Sequence, residues 1–358
     1  MVMHAVWLYK LFRESILTIP GRLIAIIFLW FLVLLPLITI EPSVLRIITL
    51  ASIFTIYAAS WDVLAGFSGQ INLGHALFFG VAAYTTAVLN KYLGLPIWIT
   101  IPLGSVCAVT VGLIAGMPAL RLRGFYLGLV TLAFPLILSG VIFVFADFTG
   151  GEQGIYGLSR LSNSRILDYY IILTAMICSL FIMYKLTDAG SRMLRIGVIL
   201  HAIREDEITA RASGIDTAKY KLMVFAISGF FAGVAGGFYA HYMRITGPSI
   251  LGLFFSFQPI LWTIFGGLST VYGAVTGVFV LYPLVEVCCF YEIGEHIRFI
   301  LLSLILILTL IFMPEGIAVW IRDKLEVKCQ RCKVVNAITR NFCRACRAPL
   351  HLEKRGKK

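Results

Sequence analysis

The C-terminal part of the sequence contains two Cys-x2-Cys pairs, and these residues have the clearest chemical potential in the chain. The pairs are Cys329–Cys332 and Cys343–Cys346, with ten residues between them. Four thiolates at this spacing can surround Zn²⁺ tetrahedrally at about 2.3 Å. Because four cysteines would fill every coordination position, we predict a structural zinc ribbon over residues 329–350. Two disulfides are the alternative, which a reducing cytoplasm disfavours.

A glycine-rich stretch between two apolar segments contains the second group of candidate residues. It reads Gly-Phe-Ser-Gly-Gln-Ile-Asn-Leu-Gly-His over residues 66–75. Irregular polar backbone at membrane depth is tolerated only where it is buried in protein or lines a wet cavity, and interrupted helices form the binding sites of many transporters. We therefore expect this first break to border a substrate path. The candidate residues are Gly66, Gly69, Gln70, Asn72, Gly74 and His75, with Asp62 before the break.

Each candidate also has a structural interpretation. A carboxylate inside a membrane span costs at least ~2.5 kcal/mol unless it is paired or wetted, so Asp62 either binds a substrate amine or bonds to Trp61 or to backbone. His75 either contacts substrate or is a packed, hydrogen-bonded histidine. Gln70 and Asn72 either donate to a substrate carboxylate or satisfy helix ends. The glycines either allow tight turns and close packing or expose N–H groups to a carboxylate.

The elements that must position these residues are membrane helices. The chain is 59% hydrophobic and 13% charged, with a mean hydropathy of +0.92, which excludes an ordinary soluble domain. We predict an all-α polytopic membrane protein with about ten transmembrane helices, some of them short or interrupted. The predicted segments are 23–40, 44–66, 73–90, 96–119, 125–145, 166–186, 222–243, 254–267, 273–290 and 298–313. A second glycine-rich break, 266–273, precedes the ninth segment.

The distribution of Lys and Arg predicts the orientation of the chain. Positive residues mark cytoplasmic loops, and they cluster at Arg121 and Arg123 and again in the loop 187–221. The segment 146–165 then lies outside. Ten crossings place both termini in the cytoplasm.

The cytoplasmic loop 187–221 is long for a polytopic protein, and we predict short helices parallel to the membrane within it. Asp206 is a suitable N-cap for a helix over 207–213 that ends at Gly214. Such an element suits docking into a groove on a motor subunit, whereas a solvated connector is the alternative. The candidate coupling residues are Arg204, Glu205, Asp206, Glu207, Ala210 and Gly214.

Collinear blocks along the chain carry a family resemblance. The blocks are 66–80 with 83–85, 120–127 with 130–134, 149–154, 202–215 with 220–222, 232–237, 266–267 and 313–317. In this order they resemble the permease subunits of branched-chain amino-acid ABC importers, of the LivM type. The sequence departs from the family pattern at Asp62, Ala82 and Ser269–Thr270.

The resemblance implies a permease of an ATP-driven importer for branched-chain or related amino acids in the plasma (inner) membrane. It implies two separate ATP-binding cassette subunits, a second homologous permease, and an extracellular or periplasmic solute-binding protein as partners. We expect no enzymatic activity and no nucleotide bound by this chain alone, because it contains no Gly-x4-Gly-Lys-Ser/Thr loop. Closure of the ATPases would push on 204–214 and switch access.

Two other classes of protein remain as alternatives. A stand-alone secondary transporter or channel for a small polar solute would need intramembrane acids, for which Asp62 and Glu286 are the candidates. A membrane enzyme would need a cluster of His, Asp or Ser groups at one depth, and the sequence contains no such cluster.

The tail after the predicted permease domain is strongly basic. We divide the chain into a permease domain, 1–317, and a cytoplasmic tail, 318–358, which has twelve Lys/Arg and three Asp/Glu, or 12 − 3 = +9 of the chain's +12. Zn²⁺ bound by four thiolates would add +2 − 4 and bring this charge to +7. We predict contact with anionic membrane lipids or an acidic protein surface, at ~1 kcal/mol per charge near the membrane. Nucleic-acid binding is not expected, because no aromatic platform accompanies the charge.

Overall fold

The computed structural model describes residues 20–39, 41–119, 122, 124–188, 196–290, 294–332, 335–338, 342–343 and 346–350. The chain divides into two compact units, one formed by residues 41–316 and the other by residues 1–40 with 317–358. Arg121 and Arg123, which contributed to the predicted orientation, lie outside the described residues.

Residues 41–316 are almost entirely helical. In chain order the helices are α2 (Pro42–Ser68), α3 (Ala76–Leu93), α4 (Ile97–Ala119), α5 (Phe125–Val144), α6 (Ala146–Thr149), α7 (Arg165–Thr187), α8 (Ile196–Glu205), α9 (Glu207–Ala212), α10 (Thr217–Met243), α11 (Leu253–Gly266), α12 (Val271–Phe290) and α13 (Glu295–Phe312). A short 3₁₀ helix, Pro248–Leu251, precedes α11. Two short strands, β1 (Ile155–Tyr156) and β2 (Ile245–Thr246), pair antiparallel beyond the end of α10.

Helix α2 forms the centre of this unit. It packs against α7, α10, α11 and α12, and every residue from 49 to 64 is buried. Its buried threonine hydroxyls bond within the helix, since Thr49 donates to the Leu45 carbonyl at 2.6 Å and Thr55 to the Ala51 carbonyl at 2.7 Å. A largely apolar helix whose hydroxyl groups bond back to its own carbonyls is suited to the middle of a membrane bundle.

Every one of the ten predicted apolar segments lies on a helix. The described helices that are long and apolar enough to cross a membrane are Pro42–Ser68, Ile97–Ala119, Phe125–Val144, Arg165–Thr187, Thr217–Met243, Val271–Phe290 and His296–Leu325, and two shorter apolar helices are Leu23–Ile38 and Leu253–Gly266. These seven helices make the chain a polytopic helical membrane protein, whereas ten crossings remain a prediction. Helix α3 falls outside both groups, because polar residues such as Asn90 and Lys91 occupy its last turn.

The predicted capping of the coupling loop is confirmed. Asp206 is the N-cap of helix α9, and its Oδ1 accepts from the N–H groups of Ile208 at 2.8 Å and Thr209 at 3.2 Å. After the helix, Gly214 adopts φ +83°, and the N–H of Ile215 donates to the Ala210 carbonyl at 3.2 Å. A left-handed residue with this return bond is the expected glycine stop of a helix.

The smaller unit contains α1 (Pro20–Ile38), α14 (Ile317–Leu325) and an antiparallel hairpin of β3 (Glu326–Lys328) with β4 (Val335–Ala337). Helices α1 and α14 pack together, and the Gly21 N–H donates to the Glu326 side chain at 3.0 Å. A further bridge joins Phe342 to Pro349. These two short β pairings bring the cysteine pairs together at one end of the unit.

Candidate functional site

The first glycine-rich break begins where α2 ends in a left-handed turn. Gly69 adopts φ +71°; its N–H donates to the Ala65 carbonyl at 3.1 Å, and the N–H of Gln70 donates to the Leu64 carbonyl at 3.3 Å. A side chain at this position would be strained by the positive φ. It would also meet the Cγ of Arg204 at 3.4 Å, so the end of α8 lies directly against this turn.

His75 is held in a fully buried hydrogen-bond network. Its Nε2 lies 2.9 Å from the Ser60 Oγ, and its Nδ1 lies 3.4 Å from the Asn72 Nδ2. Ser60 uses its own proton on the Tyr57 carbonyl at 2.7 Å, so Nε2–H of His75 donates to Ser60 and Nδ1 accepts from Asn72. The ring also stacks on Tyr57, with 5.2 Å between centroids. This geometry matches the packed-histidine interpretation.

The amide groups of the break donate to the protein itself. The Gln70 Nε2 donates to the Ser68 Oγ at 2.9 Å and to the Lys221 carbonyl at 3.3 Å. The Asn72 Oδ1 accepts the Gly74 N–H at 2.9 Å. Among the described residues, the buried Gln70 Oε1 has no hydrogen-bond partner. Each amide nitrogen therefore bonds within the protein. The group without a partner is the acceptor oxygen of Gln70, which cannot donate to a substrate carboxylate.

Asp62 is completely buried and joins the first break to the second. Its Oδ1 accepts the N–H of Ser269 at 2.8 Å, and the Ser269 hydroxyl donates to the Gly66 carbonyl at 2.8 Å. The Asp62 Oδ2 has no partner among the described residues. Trp61 is not the partner that one sequence interpretation offered, because its indole N–H donates to the Asn72 carbonyl at 2.6 Å. Of the two structural partners that the sequence offered, the observed one is backbone, the N–H of Ser269.

Glycine is required at two positions of the first break, Gly66 and Gly74. A Cβ added at Gly66 would overlap the Asp62 carboxyl group and approach the Ser269 N to 2.8 Å. Gly74 is equally enclosed, since a Cβ there would overlap the backbone of Thr131. Close backbone approach therefore explains these two glycines.

The coupling segment, residues 196–221, contacts both breaks through Arg204. The Arg204 backbone and stem cover Gly69, and its guanidinium donates to the Ser269 hydroxyl. Sequence reasoning selected Arg204 and the first break separately, but it did not predict this contact, because the two sites are far apart in the chain. The one sequence feature that pointed to this contact was Ser269, where we expect the chain to depart from the family pattern.

The other coupling candidates anchor α9 to the start of α10. Glu207 forms ion pairs with Arg211 at 3.0 Å and Lys221 at 2.6 Å. Ala210 lies within α9 and is buried, whereas Glu205 and Asp206 are exposed. Hydrogen bonds from the hydroxyl and N–H of Thr209 lower the pKa of Asp206. The segment is therefore ordered by its own contacts, which distinguishes it from a merely solvated connector.

The four tail cysteines converge on one point. Their sulfur atoms all lie within 4.8 Å of one another, with 3.6 Å between Cys329 and Cys346 and 3.4 Å between Cys332 and Cys343. A disulfide needs about 2.05 Å, whereas sulfur atoms bound to one Zn²⁺ at about 2.3 Å would lie roughly 3.8 Å apart. The N–H of Cys332 donates to the Cys329 sulfur and lowers the pKa of that thiol. The donor set thus fits a tetrathiolate metal site.

The two acids of the secondary-transporter alternative are not brought together. The Glu286 Oε1 accepts the Tyr282 hydroxyl at 2.7 Å. Glu286 lies in the last turns of α12, whereas Asp62 binds Ser269 just before α12 begins. At 1.5 Å per residue, about 22 Å of helix separates these sites.

Comparison with known proteins adds independent findings. The family described as branched-chain amino acid transport system / permease component matches residues 43–313. The high-affinity branched-chain amino acid transport system permease protein LivM of Escherichia coli K12 is 28% identical over 320 residues, covering 81% of this chain and 73% of that protein. LivM of Salmonella typhimurium is 28% identical over 318 residues, covering 80% and 72%.

A relative with a different name also matches most of the chain. The high-affinity branched-chain amino acid transport system permease protein LivH of Escherichia coli K12 is 22% identical over 301 residues, covering 75% of this chain and 92% of that protein. No solved structure matches the chain. The family match ends at residue 313, before the cysteine pairs.

Proposed function

This chain belongs to the family of permease components of branched-chain amino acid transport systems. On that basis we propose that its two breaks open a substrate path alternately to the two sides of the membrane. Arg204 drives this change in the proposal. The chain is a multi-pass permease subunit of an ABC importer of the plasma membrane. Its substrates are branched-chain or closely related amino acids. Both termini lie in the cytoplasm, which puts the coupling segment on the side of the motor.

Two separate ATP-binding cassette subunits supply the energy in this proposal. Their closure pushes on residues 204–214. Movement of Arg204 pulls on Ser269 and so shifts the end of α2 relative to the start of α12. The contact of Arg204 with both Gly69 and Ser269 is the observation that carries this mechanism. A second homologous permease and an extracellular solute-binding protein complete the importer. One organism, Escherichia coli K12, has both LivM and LivH, which supports a pair of related permeases.

The substrate path runs along α2 from the start of the helix to the first break. Midway it meets an aromatic layer, defined as Phe54, Tyr57, Phe79, Phe255 and Trp262, whose neighbouring ring centroids lie 4.9–5.9 Å apart. Beyond the layer, the Asp62 Oδ2 and the Gln70 Oε1 are buried acceptors without described partners. Unfilled acceptors suit a substrate ammonium group better than a carboxylate. Gly66, Gly69, Asn72, Gly74 and His75 shape this end of the path.

The tail is a structural zinc ribbon in this proposal. Cys329, Cys332, Cys343 and Cys346 would hold Zn²⁺, which would fix the β3–β4 hairpin and the chain after it. The convergence of the four sulfur atoms supports this assignment. Its basic surface would contact anionic lipid headgroups.

The test is affinity purification of the full chain from native membranes, mass spectrometry of the accompanying proteins, and L-leucine uptake by the reconstituted complex. We expect two ATPase subunits, a second permease, and uptake that requires ATP. Recovery of this chain alone, still transporting in liposomes without ATP, would overturn the proposal in favour of a secondary transporter.

A further inference from the structure

A polar cavity of ≈ 500 Å³ lies at the end of the larger unit opposite the coupling segment. Its lining includes Arg46 and Thr49 near the start of α2, Arg165 at the start of α7 and Arg244 after the end of α10. Helix α2 leads from this cavity to the first break, and α10 leads back from the coupling segment to the cavity. Thr49 and Asp62 are thirteen residues apart, or about 20 Å along the helix, with the aromatic layer between them.

The cavity has a strong positive charge. Arg46, Arg160, Arg165 and Arg244 line it, against the single carboxylate of Asp168, which leaves 4 − 1 = +3. No ion pair between described residues involves any of the four arginines. The N-termini of α2 and α7 add their positive dipole ends on the same side. All four arginines are exposed to solvent, and Arg160 lies near enough to Asp168 to stabilise its carboxylate. The cavity therefore presents exposed positive charge, which favours a carboxylate or another anion.

One of the arginines is held in place by its backbone. Arg244 adopts φ +59° and donates from Nε to the Leu158 carbonyl at 3.1 Å. The Arg244 carbonyl in turn accepts the Gly157 N–H at 3.1 Å. A left-handed backbone conformation is costly for any residue other than glycine. These bonds hold Arg244 in that conformation at the lining of the cavity.

Asp168 gives the cavity a second kind of site. It stands in the first turn of α7, where the Ser162 N–H donates to its carboxylate and Arg160 lies nearby. Its Oδ1 accepts no hydrogen bond from a described residue. This negatively charged acceptor would repel a simple anion that binds the neighbouring arginines. It would attract the ammonium group of a ligand whose carboxylate binds those arginines. The lining therefore matches the two charges of a zwitterion.

We propose that this cavity receives the head group of a free α-amino acid before translocation, with the carboxylate toward Arg46 and Arg165 and the ammonium group toward Asp168. This inference rests on the proposed import of amino acids and identifies the chemistry by which the permease itself recognises them. The apolar side chain of the substrate would then face Leu45 and Met243, which also line the cavity.

The test is equilibrium binding of radiolabelled L-leucine to the full-length chain in nanodiscs. Three unlabelled competitors separate the charges: leucinol lacks the carboxylate, 4-methylpentanoate lacks the ammonium group, and inorganic phosphate is an anion without either feature. We expect each of them to compete at least about tenfold more weakly than L-leucine, since a charge-assisted hydrogen bond is lost in each case. Phosphate that competes as well as L-leucine would overturn the proposal and make the cavity a general anion site.

Variants test the assigned residues. Arg46→Gln and Arg165→Gln remove charges that make no described hydrogen bond, and each should weaken L-leucine binding at least about tenfold. Asp168→Asn should weaken binding of L-leucine but not of 4-methylpentanoate. The matched control is Lys91→Gln, because Lys91 is an exposed cation at the same end of the unit that packs over Tyr156 at 4.8 Å and does not line the cavity. Unchanged binding in both arginine variants would refute the assignment.

ATP-driven uptake separates this proposal from the proposed function. If the wild-type complex shows neither binding nor uptake of L-leucine, the amino-acid function itself fails. If the wild-type complex imports L-leucine and the two arginine variants import it with the same KM, the function stands and the cavity assignment fails. The competition experiment on the wild-type chain needs no variant, so it tests recognition of both charges of the zwitterion even if a substitution disturbs folding, while the variants locate that recognition in the cavity.

Discussion

Asp62 and Ser269 are 207 residues apart in the sequence, yet the Ser269 N–H donates to the Asp62 Oδ1 at 2.8 Å. Both are positions where we expect the chain to depart from the pattern of the resembled permeases, and the structure shows that they contact each other. Ser269 also bonds to the Gly66 carbonyl and accepts from Arg204. A single serine therefore connects the two breaks and the coupling segment.

Substitution of Asp62 separates its structural role from a role in binding. Asp62→Ala should lower the free energy of unfolding by about 1–3 kcal/mol, because it leaves the Ser269 N–H without its buried acceptor. Asp62→Asn keeps an acceptor oxygen and should remain close to wild type in thermal unfolding. If the free Oδ2 binds a substrate ammonium group, Asp62→Asn should nevertheless raise the KM for L-leucine uptake. Equal stability of the Ala and Asn variants would contradict the hydrogen-bond role.

Two glycine substitutions test the close approach of the breaks. Gly66→Ala places a Cβ against the Asp62 carboxyl group and the Ser269 N, and we expect a clear fall in melting temperature together with loss of uptake. Gly140→Ala is the matched control, because its Cβ would meet nothing within 4 Å on α5. In that helix interior, alanine should be neutral or stabilising by up to about 1 kcal/mol. Similar melting temperatures for the two variants would argue against tight packing at Gly66.

Removal of the Arg204 side chain should uncouple ATP hydrolysis from transport. Arg204→Ala loses the contact with Ser269 while the α9 cap at Asp206 remains, so the complex should assemble and hydrolyse ATP but import L-leucine at least about tenfold more slowly, equivalent to about 1.4 kcal/mol. Lys219→Ala, an exposed cation in the first turn of α10, is the control. A normal ratio of imported L-leucine to hydrolysed ATP in Arg204→Ala would exclude the proposed linkage.

Metal analysis of the purified chain tests the tail. We expect one Zn²⁺ per chain by elemental analysis, and its loss in a Cys329→Ser, Cys332→Ser double variant, because two hydroxyl groups cannot replace two thiolate ligands. Cys178→Ser is the control, since this exposed cysteine lies on α7 of the larger unit and is not one of the four clustered cysteines. Full zinc content in the double variant would rule out the tetrathiolate site. Transport measured in parallel would show whether the tail regulates import.

Much of the local structure was predictable from residue types. The ten apolar segments all became helices because uninterrupted apolar sequence has few other stable forms in lipid. Asp206 and Gly214 were identifiable because a cap and a left-handed stop depend on neighbouring residues only. The cysteine pairs could be recognised for a similar reason, since metal-ligand spacing is short-range.

The partners of the polar groups depended on tertiary structure. From sequence, Gln70 and Asn72 were equally suited to donate to a ligand or to the protein, and only packing showed that Ser68, Lys221 and His75 occupy their donors. The arginine cavity also escaped prediction, because its cations come from the starts of two helices and from two loops. Hydrophobicity, capping and ligand spacing act over a few residues and are therefore encoded locally. Hydrogen-bond partners and the grouping of charges depend on which distant segments meet, and only the folded chain determines that.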